Sequence, residues 1–144
     1  MKKLLLSVLV LFAAQGAMAD VLTMTASPIQ VAPGAKVKYL KVFSNGQVGV
    51  TYCDSYSGQC DPSMYLATLS PYAMNYIYRM TEQARFGAFE AVNPLCTAVP
   101  SETKIYAAGS GSVILEEGSY PCGAFRQNTS DAAGYLISIL RQYE

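Results

Sequence analysis

The sequence predicts an α+β domain: an antiparallel sheet of four to five strands with two helices packed on one face, held by two disulfides. Three observations lead there. β-rich runs flank Asn45-Gly46, a dipeptide that turns a chain back on itself. Two later segments, opening at Ser70 and near Ser130, repeat apolar residues at helical spacing. Four cysteines follow a leader of secretory type, and cysteines in exported chains of this size pair.

Residues 1–19 have the three parts of a signal peptide. Lys2 and Lys3 precede an apolar run over 4–14, and Ala17-Met18-Ala19 supplies small residues for cleavage before Asp20. The run is shorter than the roughly 20 residues a spanning helix needs. Its short Lys-Lys start suits bacterial export, and no cysteine stands at the cut to carry a lipid. The expected product, residues 20–144, is long enough for one domain with one core. It is expected in the periplasm or outside the cell, with no transmembrane segment in the mature chain.

The first expected strand is the weakly alternating stretch 21–26. Lys36-Val-Lys-Tyr-Leu-Lys-Val-Phe43 and Val48-Gly-Val-Thr-Tyr-Cys53 then form a hairpin around Asn45-Gly46, expected as a type I′ turn. Lys36, Lys38 and Lys41 suggest an anion site or, more simply, charges that keep an exposed strand from pairing with other chains. Residues 64–69 read as a short strand. Ser70-Pro71 opens the first helix, a capping hydroxyl followed by proline. Its core face is expected to be Ala73, Ile77, Met80 and Ala84, with Gly87 as the stop. Beside that face run Tyr72, Tyr76, Arg79 and Gln83, either a ligand-contacting edge or a tyrosine-rich rim between core and water.

Further on, 95–99, 103–108 and 113–117 have strand character, interrupted by Pro100 and by Gly109-Ser-Gly-Ser112. The second helix is capped at Thr129 or Ser130, with Ala132, Leu136, Ile139, Leu140 and Tyr143 inward and Ala133 and Ile137 widening the apolar arc. Gly134 falls on its polar side. No internal repeat or linker is visible.

Composition excludes several chemistries. The chain contains no histidine, which removes Ser-His-Asp and Cys-His catalysis and most catalytic zinc sites. Losing Lys2 and Lys3 with the leader leaves eight cations against ten acids, a poor surface for nucleic acid. Charged residues are 14% of the chain against about 25% in typical domains, so much of the surface is neutral. Cys53 is expected to pair with Cys60 and Cys96 with Cys122, which leaves no thiolate; no cofactor is indicated.

Other candidates are weak. Ser101-Glu-Thr-Lys104 has the S-x-x-K spacing of serine acyl enzymes but sits in β-rich sequence, where serine and lysine do not share a helical turn. Glu116 and Glu117 are adjacent on an expected strand, so they face opposite ways and read as surface acids. Asp54 and Asp61 flank the short disulfide loop as candidate calcium ligands, without the ligand order of an EF-hand. Gly109-Ser-Gly-Ser112 is too short to cradle a phosphate, and Asn128-Thr129-Ser130 is a glycosylation acceptor only in a eukaryotic pathway.

With catalysis weakened, the segment 93–125 reads as a binding loop, tethered at Cys96 and Cys122 and stiffened by Pro94, Pro100 and Pro121. Thr97, Ala98, Val99 and Pro100 form an extended piece suited to a partner's cleft. The order of elements resembles the subtilisin-inhibitor family of secreted protease inhibitors: a strand into Cys53, then Cys60, a helix from Pro71, the apolar 86–92, Cys96 and Cys122. The resemblance implies that the peptide after Cys96 enters a protease as a substrate would, with Ala98-Val99 as the inhibitory bond. The chain departs from the family at Thr97, where proline is usual, in its short first disulfide loop and in its final helix. The expected function is an exported, non-catalytic module that binds a protein or the cell envelope; a carboxylate- or Ser101/Lys104-based hydrolase is the competing class.

Overall fold

A computed structural model describes residues 18–28, 32–93, 101–108, 112–119 and 124–144. Its strands are β1 (Asp20–Pro28), β2 (Lys36–Phe43), β3 (Gln47–Asp54), β4 (Met64–Thr68), β5 (Phe89–Asn93), β6 (Ser101–Ala107), β7 (Val113–Ser119) and β8 (Ala124–Asn128). Helix α1 (Pro71–Ala84) follows β4, and α2 (Asp131–Arg141) follows β8. All eight strands join one sheet in the order β4-β3-β2-β1-β6-β7-β8-β5, with every pairing antiparallel.

The expected four to five strands are therefore too few. The sheet grows outward from the central β1–β6 pair by two meanders, β1-β2-β3 and β6-β7-β8, and each is flanked by a five-residue edge strand. The strands missing from the sequence reading, β5 and β8, are only five residues long and mix apolar residues with Glu90, Arg126 and Gln127. They form because they pair with each other and with β7, not because of their own composition. Among the described residues there is one disulfide, Cys53–Cys60, rather than two; Cys96 and Cys122 lie outside them.

Both helices cover one face of the sheet. Leu22, Met24, Leu40, Val42, Ile105 and Ala107 point into that layer from the central strands β1, β2 and β6 and are essentially inaccessible. Each of the five larger side chains among them contributes about 1.5–3 kcal/mol by leaving water. Ile77, Met80 and Ala84 of α1 meet them as expected, but Met74 replaces Ala73 on the buried face and Thr81 joins it, its hydroxyl bonded to the Ile77 carbonyl. Of the seven residues expected to face inward from α2, Ala132, Ala133, Leu136, Ile137, Ile139 and Leu140 are buried, while Tyr143 lies beyond the helix end and is only partly buried. Ser70 and Ser130 cap the two helices, each hydroxyl accepting from the backbone N–H three residues on at 3.2 Å, worth about 1 kcal/mol apiece.

Two glycines have functions that the sequence reading placed differently. Asn45-Gly46 does turn the β2–β3 hairpin, but only Gly46 has positive φ, at 85°. The turn is the three-residue kind, with Gly46 N–H donating to the Phe43 carbonyl at 2.9 Å, rather than type I′. The Gly46 carbonyl also accepts from Leu69 N–H, and a Cβ at Gly46 would stand 2.9 Å from the Leu69 oxygen. Gly87 adopts no left-handed cap. It is needed because a Cβ there would lie 1.9 Å from Asn128 Oδ1.

Asn128 clasps the two helices. Its Nδ2 donates to the last carbonyl of α1, Ala84, at 2.6 Å, while its Oδ1 accepts from Ser130 N–H and Oγ at the start of α2. At 4% exposure it is not accessible as a glycosylation acceptor.

Candidate functional site

The register of the strands fixes what the uncovered face displays. In β2, Leu40 and Val42 face the helices, so Val37, Tyr39, Lys41 and Phe43 face away from them. In β3, Val48 and Val50 face the helices, and Thr51 and Cys53 face away. One row crosses the open face through directly paired residues: Thr51, Tyr39, Thr25, Lys104, Glu117 and Arg126.

The two halves of this face differ. Over β6–β8 the charges compensate one another. Lys104 pairs with Glu102 at 3.0 Å, an interaction that raises its pKa, and lies opposite Glu117, itself opposite Arg126. The Arg126 guanidinium sits 4.5 Å from the centre of the Phe89 ring, a cation–π contact. Over β2 and β3 the face is hollow. A cleft of about 500 Å³ is floored by Val37, Tyr39, Phe43 and Thr51, and walled by the Cys53–Cys60 disulfide and Ser63. A second hollow of about 240 Å³ continues past Phe43 to Met64 and Tyr65 at the β4 edge.

The disulfide wall is held by local hydrogen bonds. Asp54 Oδ1 accepts from Tyr56 N–H, Ser57 N–H and Ser57 Oγ, and its Oδ2 accepts from Gly34 N–H. Those donors, the Ser57 backbone first, hold the Asp54 carboxyl below its ordinary pKa. Gly58 takes positive φ in the same loop. Asp61, the other proposed calcium ligand, instead pairs with Lys36 at 3.1 Å. Among the described residues no three His, Cys, Asp or Glu side chains gather as a metal set.

The lysines of β2 do not converge on an anion either. Lys36 is engaged by Asp61, Lys38 donates to the Glu144 backbone carbonyl, and Lys41, on the opposite face from Lys38, pairs with Asp20 at 2.6 Å. Nor do they guard an edge, because β2 lies between β1 and β3.

The catalytic candidates are separated as well. Ser101 and Lys104 lie three residues apart on β6, so they cannot share a helical turn. Glu116 and Glu117 do face opposite sides, but Glu116 is no surface acid. A bulge between Ile105 and Tyr106 shifts the β6–β7 register, and Leu115 and Glu116 are consecutively buried. Glu116, 1% exposed, is met by the Arg141 guanidinium of α2, and its Oε2 has no partner. Burial pushes the Glu116 carboxyl up; Arg141 opposes that shift and Glu144 adds to it.

The tyrosine stripe on α1 lies in the helix layer, across the sheet from the cleft. Tyr72, Arg79 and Gln83 are exposed, whereas Tyr76 is partly buried against Tyr135 of α2, ring centres 4.7 Å apart and nearly perpendicular. The candidate loop Thr97, Ala98, Val99 and Pro100 lies outside the described residues, as do the glycines of Gly109-Ser-Gly-Ser112. The sequence reading missed Tyr39, Phe43, Thr51 and Ser63. The alternation Val37, Tyr39, Lys41, Phe43 was the available signal, obscured by the lysines on both faces. No helix among the described residues is long and apolar enough to cross a membrane. Comparison of the chain with models of protein families, with curated proteins and with solved structures returns no match.

Proposed function

We propose that this chain is an exported, non-catalytic binding module whose working surface is the open sheet face over β2 and β3. The observation that carries the reading is the asymmetry of the sheet. One face is filled by two helices, while the other presents an aromatic-floored cleft stiffened by a disulfide, within the size range of ligand sites. The Cys53–Cys60 bond supports an oxidising compartment, in keeping with the leader sequence. Glu116 and Glu117 lie on opposite faces, and Lys104 and Glu116 are each held in an ion pair. The inhibitory-loop version draws no support from the described residues.

The test is competitive. Immobilised wild-type protein is expected to retain a component of the source cell's envelope or exported fraction. A Phe43→Asp variant that keeps its circular dichroism is expected to lose that component, and Tyr72→Asp to keep it. Retention by Phe43→Asp and loss by Tyr72→Asp would move the working surface to the helix layer.

A further inference from the structure

We propose that the cleft on the open face takes an uncharged oligosaccharide, a reading that rests on the open face being the working surface. The first argument is charge. The two ionic groups lining the cleft, Lys41 and Asp54, are already satisfied, the first by Asp20 and the second by four hydrogen bonds from its own loop and Gly34. An anionic ligand would have to displace Asp20 from Lys41 and would meet the Asp54 carboxylate, whereas a neutral one leaves both in place.

What remains for contact is two aromatic rings and a set of hydroxyls. The Phe43 ring packs beside Gly49, its Cε2 3.5 Å from where a Cβ would stand. Phe43 and Ser63 line both the main cleft and the hollow beyond it, so the aromatic side chain stands where the two meet. Thr51 and Ser63 share one hydrogen bond at 2.6 Å and keep further donor and acceptor capacity along the wall. A pyranose ring offers both complements at once, an apolar C–H face for the aromatic ring and hydroxyls at its rim. The two hollows, about 500 and 240 Å³, give room for more than one linked ring.

A peptide fits less well. The floor is the face of internal strands whose backbone groups are paired within the sheet, so a peptide's amides would lie over aromatic and aliphatic carbon without partners. Strand addition at the edges is also hindered, since β4 and β5 are five residues long and each pairing is broken by a bulge.

The experiment is calorimetric titration of the oxidised protein with cellohexaose, xylohexaose and chitohexaose, with hexagalacturonate as the charged comparison. At least one neutral hexamer is expected to bind, with affinity unchanged at roughly 0.5 M salt. Phe43→Leu, which keeps apolar volume but removes the ring face, is expected to weaken binding by about tenfold, and Tyr72→Ala to leave it unchanged. Absence of binding by all three neutral sugars to about 10 mM, preference for the acidic sugar, or indifference to Phe43→Leu would each overturn the proposal. If none of these sugars binds but a protein or peptide is lost on Phe43→Leu, the working surface stands and the sugar assignment fails.

Discussion

Replacing Arg141 by Met keeps the aliphatic stem on α2 and removes the guanidinium that meets Glu116. Glu116 is 1% exposed and its second oxygen already lacks a partner, so the carboxylate would be left buried and uncompensated. Removing one partner of a buried pair typically costs about 3–5 kcal/mol. Here protonation limits the loss. From the ordinary value of 4.5, neutralising the carboxyl at pH 7 costs about 3.4 kcal/mol at 1.36 kcal/mol per unit, and the variant is expected to lose no more than that.

The sign of the pH dependence follows. Burial raises the folded-state pKa of Glu116, so the folded protein binds more protons than the unfolded one, and stability falls as pH rises through that window. The stabilities of Arg141→Met and wild type should converge near the ordinary pKa. They should separate by up to about 1.4 kcal/mol per pH unit once the pH passes the raised Glu116 pKa of the wild-type fold. Glu116→Gln retains an acceptor for Arg141 without the charge, and its stability should be flat over the same range. Urea denaturation followed by circular dichroism between roughly pH 4.5 and 7.5 measures all three. A gap for Arg141→Met that is constant with pH, or that widens towards acid, would refute the reasoning.

Gly87→Ala should destabilise the protein by about 2–4 kcal/mol, because the methyl displaces the Asn128 amide and its hydrogen bonds to both helices. Combined with Asn128→Ala in a double-mutant cycle, its cost should be clearly less than additive. Gly134→Ala should stabilise by about 0.5–1 kcal/mol in urea denaturation, since a Cβ there meets nothing within 4 Å and the helix gains propensity. Replacing Cys53 and Cys60 together by Ala should cost at least about 2–2.5 kcal/mol through the lost loop constraint, read as a lowered urea midpoint.

The helices and the first four strands were legible because their signals are local. Ser70-Pro71 and Ser130 supply caps, and the apolar spacing of α2 locates its buried face. Ala73 and Met74 exchanged places because the buried arc includes Thr81, whose polar hydroxyl hides inside the helix's own hydrogen bonding. Strands β5 and β8 exist through partners far along the chain, which no local pattern records. The burial of Glu116 has the same character, since it follows from a bulge in the pairing with β6. The cleft was hidden for a third reason. Lys36 and Lys38 alternate with Val37 and Tyr39, so both faces of β2 look amphipathic until the helices show which one is covered.

Hydroxyl-radical footprinting of the oxidised protein, with and without the envelope fraction of the source cell, tests the working surface most directly because it reads side chains one by one. Tyr39 and Phe43 in the cleft, with Met64 and Tyr65 at its rim, are expected to lose reactivity when the fraction is present. Tyr72 and Phe86, 81% and 86% exposed in the helix-bearing half, are expected to keep theirs. Protection of Tyr72 and Phe86 with Tyr39 and Phe43 unchanged would contradict the account.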